Sequence, residues 1–264
     1  MPTVHEIESA LLGLAPRELA MDWDNVGLLL GDPAAEVTHV LLSLDVTDAA
    51  AAEAKEKGCQ LIVSHHPLMN VRWHQREMQT LRPDTRLGRL LTTLVKNDIA
   101  VISQHTNLDA APGGVNDALA VSLRLEDPGP LPGDESGICR VGTLKETMAP
   151  ADFAAFVGRA LSAGNVRWCG GRPVRRVAVG GGACGDFIPR VLAAGCDTFV
   201  TADLSYHTFL DAEGKGINLI DAGHFPTEDP VCGRLITYLT ARFPELAVSK
   251  TSSHREVIQY IVKD

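Results

Sequence analysis

The segment Leu61-Ile62-Val63-Ser64-His65-His66-Pro67 places a short apolar run directly before two histidines and a proline. A continuous apolar run of this length, bounded by turn residues, predicts a short buried strand. Pro67 stops the strand, because proline has no backbone N–H to donate. The strand is therefore expected to end with two imidazoles just beyond its tip.

Two further strands are predicted on either side of this one in the chain. Residues 37–44 form a run that ends at Asp45, and residues 99–103 form another. The Ala-rich segment after Thr47 is predicted to be a helix, with Thr47 or Asp48 as its N-cap. Residues 84–97 are predicted to form another helix. A first helix over 3–20 precedes them. This alternation of helix and strand favours an α/β fold with parallel strand pairs.

The second half of the chain repeats a similar order of elements after a proline-rich break. Pro128, Pro130, Pro132 and Gly133 lie within residues 127–137 and indicate a domain boundary. We predict a first domain over 1–126 that is completed by 222–264, and a second domain over 127–221. The strands expected after the break cover 139–143, 174–179, 198–201, 217–221 and 256–262, with helices over 148–162, 187–194, 205–213 and 226–240 between them.

The bulk composition excludes several classes of protein. The chain has 264 residues, of which 45% are hydrophobic, and its net charge is −9. An acidic surface disfavours nucleic-acid binding, so we read the arginines at 167, 172, 175 and 176 as a solvated face. No apolar run approaches the roughly 18 residues of a membrane helix, and no signal peptide is evident. The six scattered cysteines are typical of reduced, mostly buried thiols in a cytoplasmic protein.

His65 and His66 can each hold a metal ion beyond the strand tip. Successive side chains of a strand point to opposite faces, so the two imidazoles are not expected to chelate one ion together. Two unrelated polar histidines in a loop are the alternative.

His105-Thr106-Asn107-Leu108-Asp109 follows the strand over 99–103 and so also lies at a carboxyl end, where sites gather in open α/β sheets. Asp109 offers a hard oxygen ligand. His105 could bind metal or orient a carboxylate. An ordinary turn is the alternative, because Asn and Asp precede Pro112-Gly113-Gly114.

Asp221-Ala222-Gly223-His224-Phe225-Pro226-Thr227-Glu228 runs from a predicted strand into a helix that Pro226 can begin. His224 and Glu228 are four residues apart and share one side of that helix. A glutamate that stabilises the helix N-terminus is the alternative.

Together the three junctions supply three imidazoles and two carboxylates. This set suits two cations about 3.5–4 Å apart, as in two-metal hydrolases. Mixed nitrogen and oxygen ligands favour Zn, Mn, Fe, Co or Ni. The sequence therefore predicts a two-metal site formed by His65, His66, Asp109, His224 and Glu228.

The chain resembles the GTP cyclohydrolase 1 type 2 family, also called the NGG-interacting-factor-three-like family. The matching motifs occur in family order: Trp23-Asp24-Asn25-Val26-Gly27-Leu28, Ser43-Leu44-Asp45-Val46-Thr47, Ser64-His65-His66-Pro67-Leu68, His105-Thr106-Asn107-Leu108-Asp109, Gly113-Gly114-Val115-Asn116-Asp117 and Asp221-Ala222-Gly223-His224 with Glu228. The chain departs from the family at Thr201-Ala202-Asp203, where many members have Thr-Gly-Asp or Thr-Gly-Glu. It also departs at Tyr206-His207, where several have paired histidines, so the resemblance does not extend to a catalytic role at position 206.

The resemblance implies two intertwined α/β domains, with mixed sheets flanked by helices, in a ring-shaped homohexamer of the short form. It implies the same five ligands, with Glu228 as the bridge between the ions. His207 and His105 are candidate proton shuttles, and Asp24 and Asp45 are candidate supporting carboxylates or a general base. The alternative for His207 is a helix residue bonded locally, and the alternative for Asp45 is helix capping. Gly180-Gly181-Gly182 could hold a phosphate at a helix N-terminus, although tight packing is the better explanation.

Two functions follow as hypotheses. The first is a metal-dependent hydrolase of a small molecule, such as GTP, another nucleotide or a phosphoester. The second is a non-enzymatic ring that binds or handles metal. The first needs an open coordination position and a substrate pocket, whereas the second needs ions that exchange freely.

Overall fold

A computed structural model describes residues 1–69 and 79–261 of the chain. Its contacts divide the chain into two compact units. The first unit comprises Met1–Ala111 and Cys232–Arg255, and the second comprises Pro112–Val231 and Glu256–Asp264. Each unit is therefore formed by two separate segments of the chain, and the segments of the two units alternate along the sequence.

The helices and strands within the described residues follow the predicted alternation. The helices are α1 (Val4–Leu14), α2 (Asp48–Glu56), α3 (Arg86–Lys96), α4 (Thr106–Ala110), α5 (Val115–Ser122), α6 (Pro150–Ala160), α7 (Ile188–Ala193), α8 (Tyr206–Lys215), α9 (His224–Glu228) and α10 (Pro230–Arg242). The strands are β1 (Gly27–Leu30), β2 (His39–Ser43), β3 (Leu61–Ser64), β4 (Ala100–Ser103), β5 (Glu126–Pro130), β6 (Arg140–Met148), β7 (Arg167–Cys169), β8 (Val174–Val179), β9 (Thr198–Thr201), β10 (Asn218–Asp221) and β11 (Ala247–Lys250).

The first unit is built on a sheet with the strand order β1-β4-β3-β2-β11. Neighbouring strands from β4 to β11 pair in parallel, and β1 is antiparallel to β4. All four residues of β3 and of β4 are buried, as a strand covered on both faces requires. Thr3 caps α1 in a capping box with Glu6, and Thr47 caps α2 through the amide of Ala50.

The second unit is built on a sheet with the order β5-β6-β8-β9-β10-β7. Strands β8, β9 and β10 are parallel, and the outer pairs are antiparallel. Its core packs apolar residues of α6 and of the central strands, among them Phe153, Val177 and Val200. Two mixed sheets with flanking helices confirm the predicted α/β fold class.

The division of the chain differs from the predicted domains at three places. Residues 112–126 belong to the second unit, because α5 packs against β6 and β8. Residues 222–231 stay in the second unit as well, since α9 follows β10 directly and contacts α5. Residues 256–261 also belong to the second unit, although 222–264 was predicted to complete the first domain. Separately, part of the proline-rich break is a strand, because β5 pairs with β6.

The C-terminal end of the chain also differs from the prediction. Residues 256–261 belong to no strand, and the last residue of the strand predicted over 256–262 lies outside the described residues. The strand that closes the first sheet is β11, which precedes this segment. Among the described helices, none combines the length and the apolar character that a membrane crossing requires.

Candidate metal centre

The loops after β2, β3 and β4 begin at one level of the first sheet. Ser43, Ser64 and Ser103 are register partners across these strands. Ser64 Oγ lies 2.8 Å from Ser103 Oγ and donates to the carbonyl oxygen of His66 at 2.8 Å. Ser43 Oγ donates to the carbonyl oxygen of Asp45 at 2.6 Å. The serine hydroxyls thereby fix the first turn of loops that carry candidate site residues.

The two neighbouring imidazoles lie closer together than strand geometry predicts. Because β3 ends at Ser64, His65 and His66 occupy a bend, where the alternation of strand side chains no longer holds. Their ring centroids are 4.9 Å apart. The expectation that they point to opposite sides of the backbone is therefore wrong. His65 is buried and His66 is partly exposed.

His105 joins these two histidines in one group. Its ring centroid lies 5.2 Å from that of His65 and 5.5 Å from that of His66. Each of the three imidazoles offers a nitrogen that lies within 4.8 Å of the nitrogens of the other two. The group therefore has the compactness that a metal site needs, and it includes His105, which we predicted as a proton shuttle.

An oxygen acceptor fixes the Nδ1 atom of each imidazole in this group. His65 Nδ1 lies 2.9 Å from the carbonyl oxygen of Gln104, and His66 Nδ1 lies 2.9 Å from Asp45 Oδ1. His105 Nδ1 lies 2.8 Å from Asp24 Oδ1. Carbonyl and carboxylate oxygens only accept, so all three Nδ1 atoms donate. In the neutral rings Nε2 is then the nitrogen that can ligate a cation.

Asp109 adds an oxygen donor to the group. It lies on α4, whose N-cap is His105, and its Oδ1 is 3.6 Å from His65 Nε2. The segment is thus a short helix and not the simple turn that we considered. Asn107 anchors it by donating to the carbonyl oxygen of Ala15 at 2.8 Å. Asp109 is buried, and a buried carboxylate requires a compensating partner such as a cation or a hydrogen-bond donor.

Asp24 orients His105 from a segment far away in sequence. Its Oδ2 accepts from the amide of Thr106 at 3.0 Å and from the Thr106 hydroxyl at 2.5 Å. Burial raises the pKa of Asp24, but the hydrogen bonds and charge of His105 and the bonds from Thr106 outweigh it and lower the pKa to about 2. Asp24 thus holds His105 in place, and its role as a supporting carboxylate of a metal site stays a prediction.

Asp45 has a second histidine partner that the sequence did not reveal. Its Oδ1 accepts from His66, and its Oδ2 lies 2.9 Å from His254 Nε2. Burial raises the pKa of Asp45, yet hydrogen bonds and charge from the two imidazoles bring it well below its usual range. Thr47, and not Asp45, caps α2. His254 lies in the loop after β11, where only its position at a strand's carboxyl end could have pointed to it.

The second unit contains the other two predicted ligands. His224 and Glu228 lie on α9, directly after β10, and His224 Nε2 is 3.2 Å from Glu228 Oε2. His224 Nδ1 is 2.6 Å from Oδ2 of Asp203, which follows β9. Asp203 has a φ of 57°, a left-handed conformation that aspartate tolerates better than most residues. The predicted one-turn spacing of His224 and Glu228 is confirmed.

The charges around His224 favour a bound cation. Burial lowers the pKa of this imidazole, but the charge of the Glu228 carboxylate and the hydrogen bonds that the imidazole donates to Asp203 and Glu228 raise it to about 11. The hydrogen bond between His224 and Asp203 also lowers the pKa of Asp203. A metal ion must displace the imidazole proton to be bound there, because only the neutral ring can ligate.

The glycine-rich loop after β8 packs around Glu228. Gly182 has a φ of 66°, and a Cβ placed on it would lie 2.2 Å from Glu228 Oε1. The amides of Gly180, Gly181 and Gly182 donate to Val200, Asn116 and Thr227, respectively. Because protein oxygens accept from all three amides, tight packing explains this motif and a phosphate cradle does not.

His207, the other residue predicted as a proton carrier, lies in the second unit. It is exposed on α8, where its ring packs edge-on to Tyr206 with centroids 5.4 Å apart. It lines a shallow cavity of about 310 Å³ together with Asp211 and Lys215. Its role as a proton shuttle stays a prediction.

Known proteins resemble this chain over most of its length. The sequence profile of the family described as Duf34/NIF3 (NGG1p interacting factor 3) matches residues 2–256. The chain is 39% identical over 243 residues to a GTP cyclohydrolase 1 type 2 homolog from Streptomyces coelicolor, which covers 88% of this chain and 84% of the relative. A homolog from Clostridium perfringens is 36% identical over 235 residues, with 86% and 87% covered.

Solved structures share the fold. A Staphylococcus aureus protein superposes with a TM-score of 0.89 at 27% identity, covering 98% of this chain and 99% of that one. Reduced HcgD from Methanocaldococcus jannaschii gives a TM-score of 0.81 at 28% identity, covering 95% and 98%.

Proposed function

The chain belongs to the Duf34/NIF3 family, and from this membership and the donors described above we propose that it is a metal-dependent hydrolase of a small molecule. The proposed ligands are His65, His66, Asp109, His224 and Glu228, and they would hold two divalent cations. That the donors of both units serve the same pair of ions follows from the family resemblance and stays a prediction.

One observation carries the proposal. Three imidazoles in the first unit offer nitrogens within 4.8 Å of one another, and an oxygen acceptor holds each Nδ1. Histidines that serve only as packing residues do not need to bring their nitrogens this close together. They also do not need a separate hydrogen-bond acceptor on each ring. Histidines that bind metal almost always have such partners.

The donor set suits borderline transition metals. Imidazole nitrogens with carboxylate oxygens favour Zn, Mn, Fe, Co or Ni over a soft thiolate site. When bound, such cations supply Lewis acidity toward water and toward a carbonyl or phosphoryl oxygen. Glu228 is the proposed bridge between them.

The chain's own residues would position groups and move protons. Asp24 holds the Nδ1 proton of His105 in place, so His105 Nε2 is directed as a single acceptor toward its neighbours. His105 is then either a further ligand or the group that receives a proton from the attacking water. His207 is the second proposed proton carrier, from its exposed place on α8.

The relatives' names suggest a nucleotide such as GTP as substrate, and a phosphoester is equally compatible with paired cations. The homohexamer and a cytoplasmic location are further parts of the proposal. General nucleic-acid binding stays disfavoured by the net charge of −9.

The decisive experiment combines metal analysis with an activity screen. Purified protein is expected to contain two equivalents of a divalent transition metal per chain. It should also turn over at least one nucleotide or phosphoester in a reaction that a chelator abolishes and added metal restores. A turnover that survives complete chelation would contradict the hydrolase proposal. Metal that exchanges freely, with no turnover across the screen, would support the metal-handling alternative instead.

A further inference from the structure

We infer that His254 is a positioning residue that holds the Asp45 carboxylate on His66. Asp45 lies between two imidazoles: Oδ1 accepts from His66 Nδ1 at 2.9 Å, and Oδ2 accepts from His254 Nε2 at 2.9 Å. The inference rests on the proposed function, because it takes His66 as a metal ligand. It adds a residue that no motif of the sequence identified.

Asp45 needs a second partner to keep a fixed orientation. Its side chain is 43% exposed, so water competes for both oxygens and the carboxylate can rotate about its terminal torsion. The His254 side chain is only 8% exposed. A buried donor on Oδ2 restricts that rotation and leaves Oδ1 directed at His66. The carboxylate in turn fixes the His66 ring and makes its Nε2 a better ligand.

The sheet brings His254 to this position. β11 pairs in parallel with β2, so both strands end at the edge where the site residues gather. Thr251 extends the pairing by donating its amide to the carbonyl oxygen of Leu42 at 2.8 Å. Asp45 and His254 follow these two strand ends, 209 positions apart in the chain.

Glu53 then fixes the loop between β11 and His254. Its Oε2 accepts from the Thr251 hydroxyl at 2.6 Å and from the Ser253 amide at 3.0 Å. Its Oε1 accepts from the amide and the hydroxyl of Ser252, each at 3.0 Å. A buried carboxylate that accepts this many hydrogen bonds holds the loop firmly, so the approach of His254 to Asp45 is set by the fold.

The test compares His254→Ala with His254→Gln, whose amide nitrogen can replace the Nε2–H donor. His5→Gln, an exposed histidine on α1, is the control. Cobalt(II) affinity is measured by calorimetry, and the visible cobalt spectrum reports the ligand set. We expect H254A to weaken binding at one of the two cobalt sites by about tenfold to hundredfold and to change its spectrum. H254Q and H5Q should stay within about threefold of the unsubstituted chain.

A second readout needs no metal. Nitrogen-15 NMR of the imidazoles should show His66 as the Nδ1–H tautomer in the unsubstituted chain and in H254Q, and as a mixture in H254A. Thermal unfolding of each variant separates this effect from a loss of folding. Equal cobalt affinity and an unchanged His66 tautomer in H254A would overturn the inference. Absence of cobalt binding by the unsubstituted chain would instead overturn the proposed function, and the tautomer would still decide the role of His254.

Discussion

The Glu228 carboxylate lies where the side chain of any residue larger than glycine at position 182 would have to be. A Cβ on Gly182 would come within 2.2 Å of Glu228 Oε1 and 3.2 Å of His224 Cε1. Glu228 is buried, so it cannot swing into solvent without opening the loop. The glycine at position 182 is thus part of what places a proposed metal ligand.

Gly182→Ala should therefore damage both stability and metal binding. The left-handed backbone costs an alanine about 1–2 kcal/mol, and the displaced carboxylate adds to this. We expect cobalt affinity to fall at least about tenfold, as it does when a ligand loses its support. Urea unfolding and cobalt calorimetry measure the two effects.

Gly195→Ala is the matched control for this substitution. Gly195 has a φ of 71°, but a Cβ there would meet nothing within 4 Å. The Gly195→Ala variant should therefore lose only the free energy of unfolding that the left-handed backbone costs an alanine. It should bind cobalt with the affinity of the unsubstituted chain. If both variants bound cobalt with the same affinity, the close approach of Gly182 to Glu228 would have no role in the site.

Removal of single ligands should remove metal. His65→Ala and Glu228→Ala each delete one proposed donor, and we expect the metal content after dialysis to fall from two equivalents to one or fewer. His5→Ala and Glu213→Ala change exposed residues of the same types and should keep both ions. Retention of both ions by the two ligand variants would contradict the assignment.

Asp24→Asn should disorder His105. The side chain of Asp24 is 1% exposed, and its two oxygens serve His105 and Thr106, so an amide NH₂ must face one donor or the other. An unsatisfied buried group costs about 1–3 kcal/mol of the free energy of unfolding. Urea unfolding should show this loss, and imidazole NMR should show that His105 no longer keeps one tautomer.

Asp22→Asn provides the comparison, because Asp22 is exposed two residues earlier. This variant should unfold like the unsubstituted chain and leave His105 unchanged. A similar loss of stability in both variants would mean that local charge, and not the hydrogen bond to His105, is responsible.

Glu53 should make the stability of the chain depend on acid pH. Burial raises the pKa of this carboxyl, but hydrogen bonds from Lys57, Thr251 and Ser253 bring it well below its usual value of 4.5. Because the folded pKa is the lower one, this stabilisation is complete above about pH 4.5 and is lost as the pH falls toward the folded pKa. Glu53→Gln should cost about 1–3 kcal/mol at pH 7.

The difference in the free energy of unfolding between the unsubstituted chain and Glu53→Gln should become smaller below pH 4.5. It should fall by at most about 1.4 kcal/mol per pH unit. Urea unfolding at several pH values measures it. Glu56→Gln, on the exposed face of the same helix, should change the unfolding free energy little at any pH. A Glu53→Gln difference that stays constant from pH 7 to pH 3 would contradict the prediction.

Local sequence signals were sufficient for much of the fold. The predicted strands over 61–64, 174–179 and 198–201 match β3, β8 and β9 in both bounds, because short apolar runs between turn residues mark buried strands. His65, His105 and His224 were also correctly expected just after the carboxyl ends of strands, here β3, β4 and β10. Sites in open α/β sheets gather at those ends.

Features set by distant parts of the chain could not be predicted in the same way. β5 contains two prolines, and its sequence therefore predicts a break between domains. It forms a strand because it lies at the edge of its sheet, where prolines are tolerated. The bend at His65 and His66 depends on hydrogen bonds from the neighbouring serines, and the Asp45–His254 pair depends on the register of β11. No local pattern encodes which strand becomes a neighbour.

The late return of the chain to its first sheet has a consequence for its synthesis on the ribosome. β2 remains an edge strand, with unpaired N–H and C=O groups, until β11 has been translated. Such an edge can recruit a strand from another nascent polypeptide, and pairing across so long a loop closes slowly. The nascent chain should therefore be most prone to aggregation in that interval, and a chaperone that shields β2 should raise the yield of folded protein.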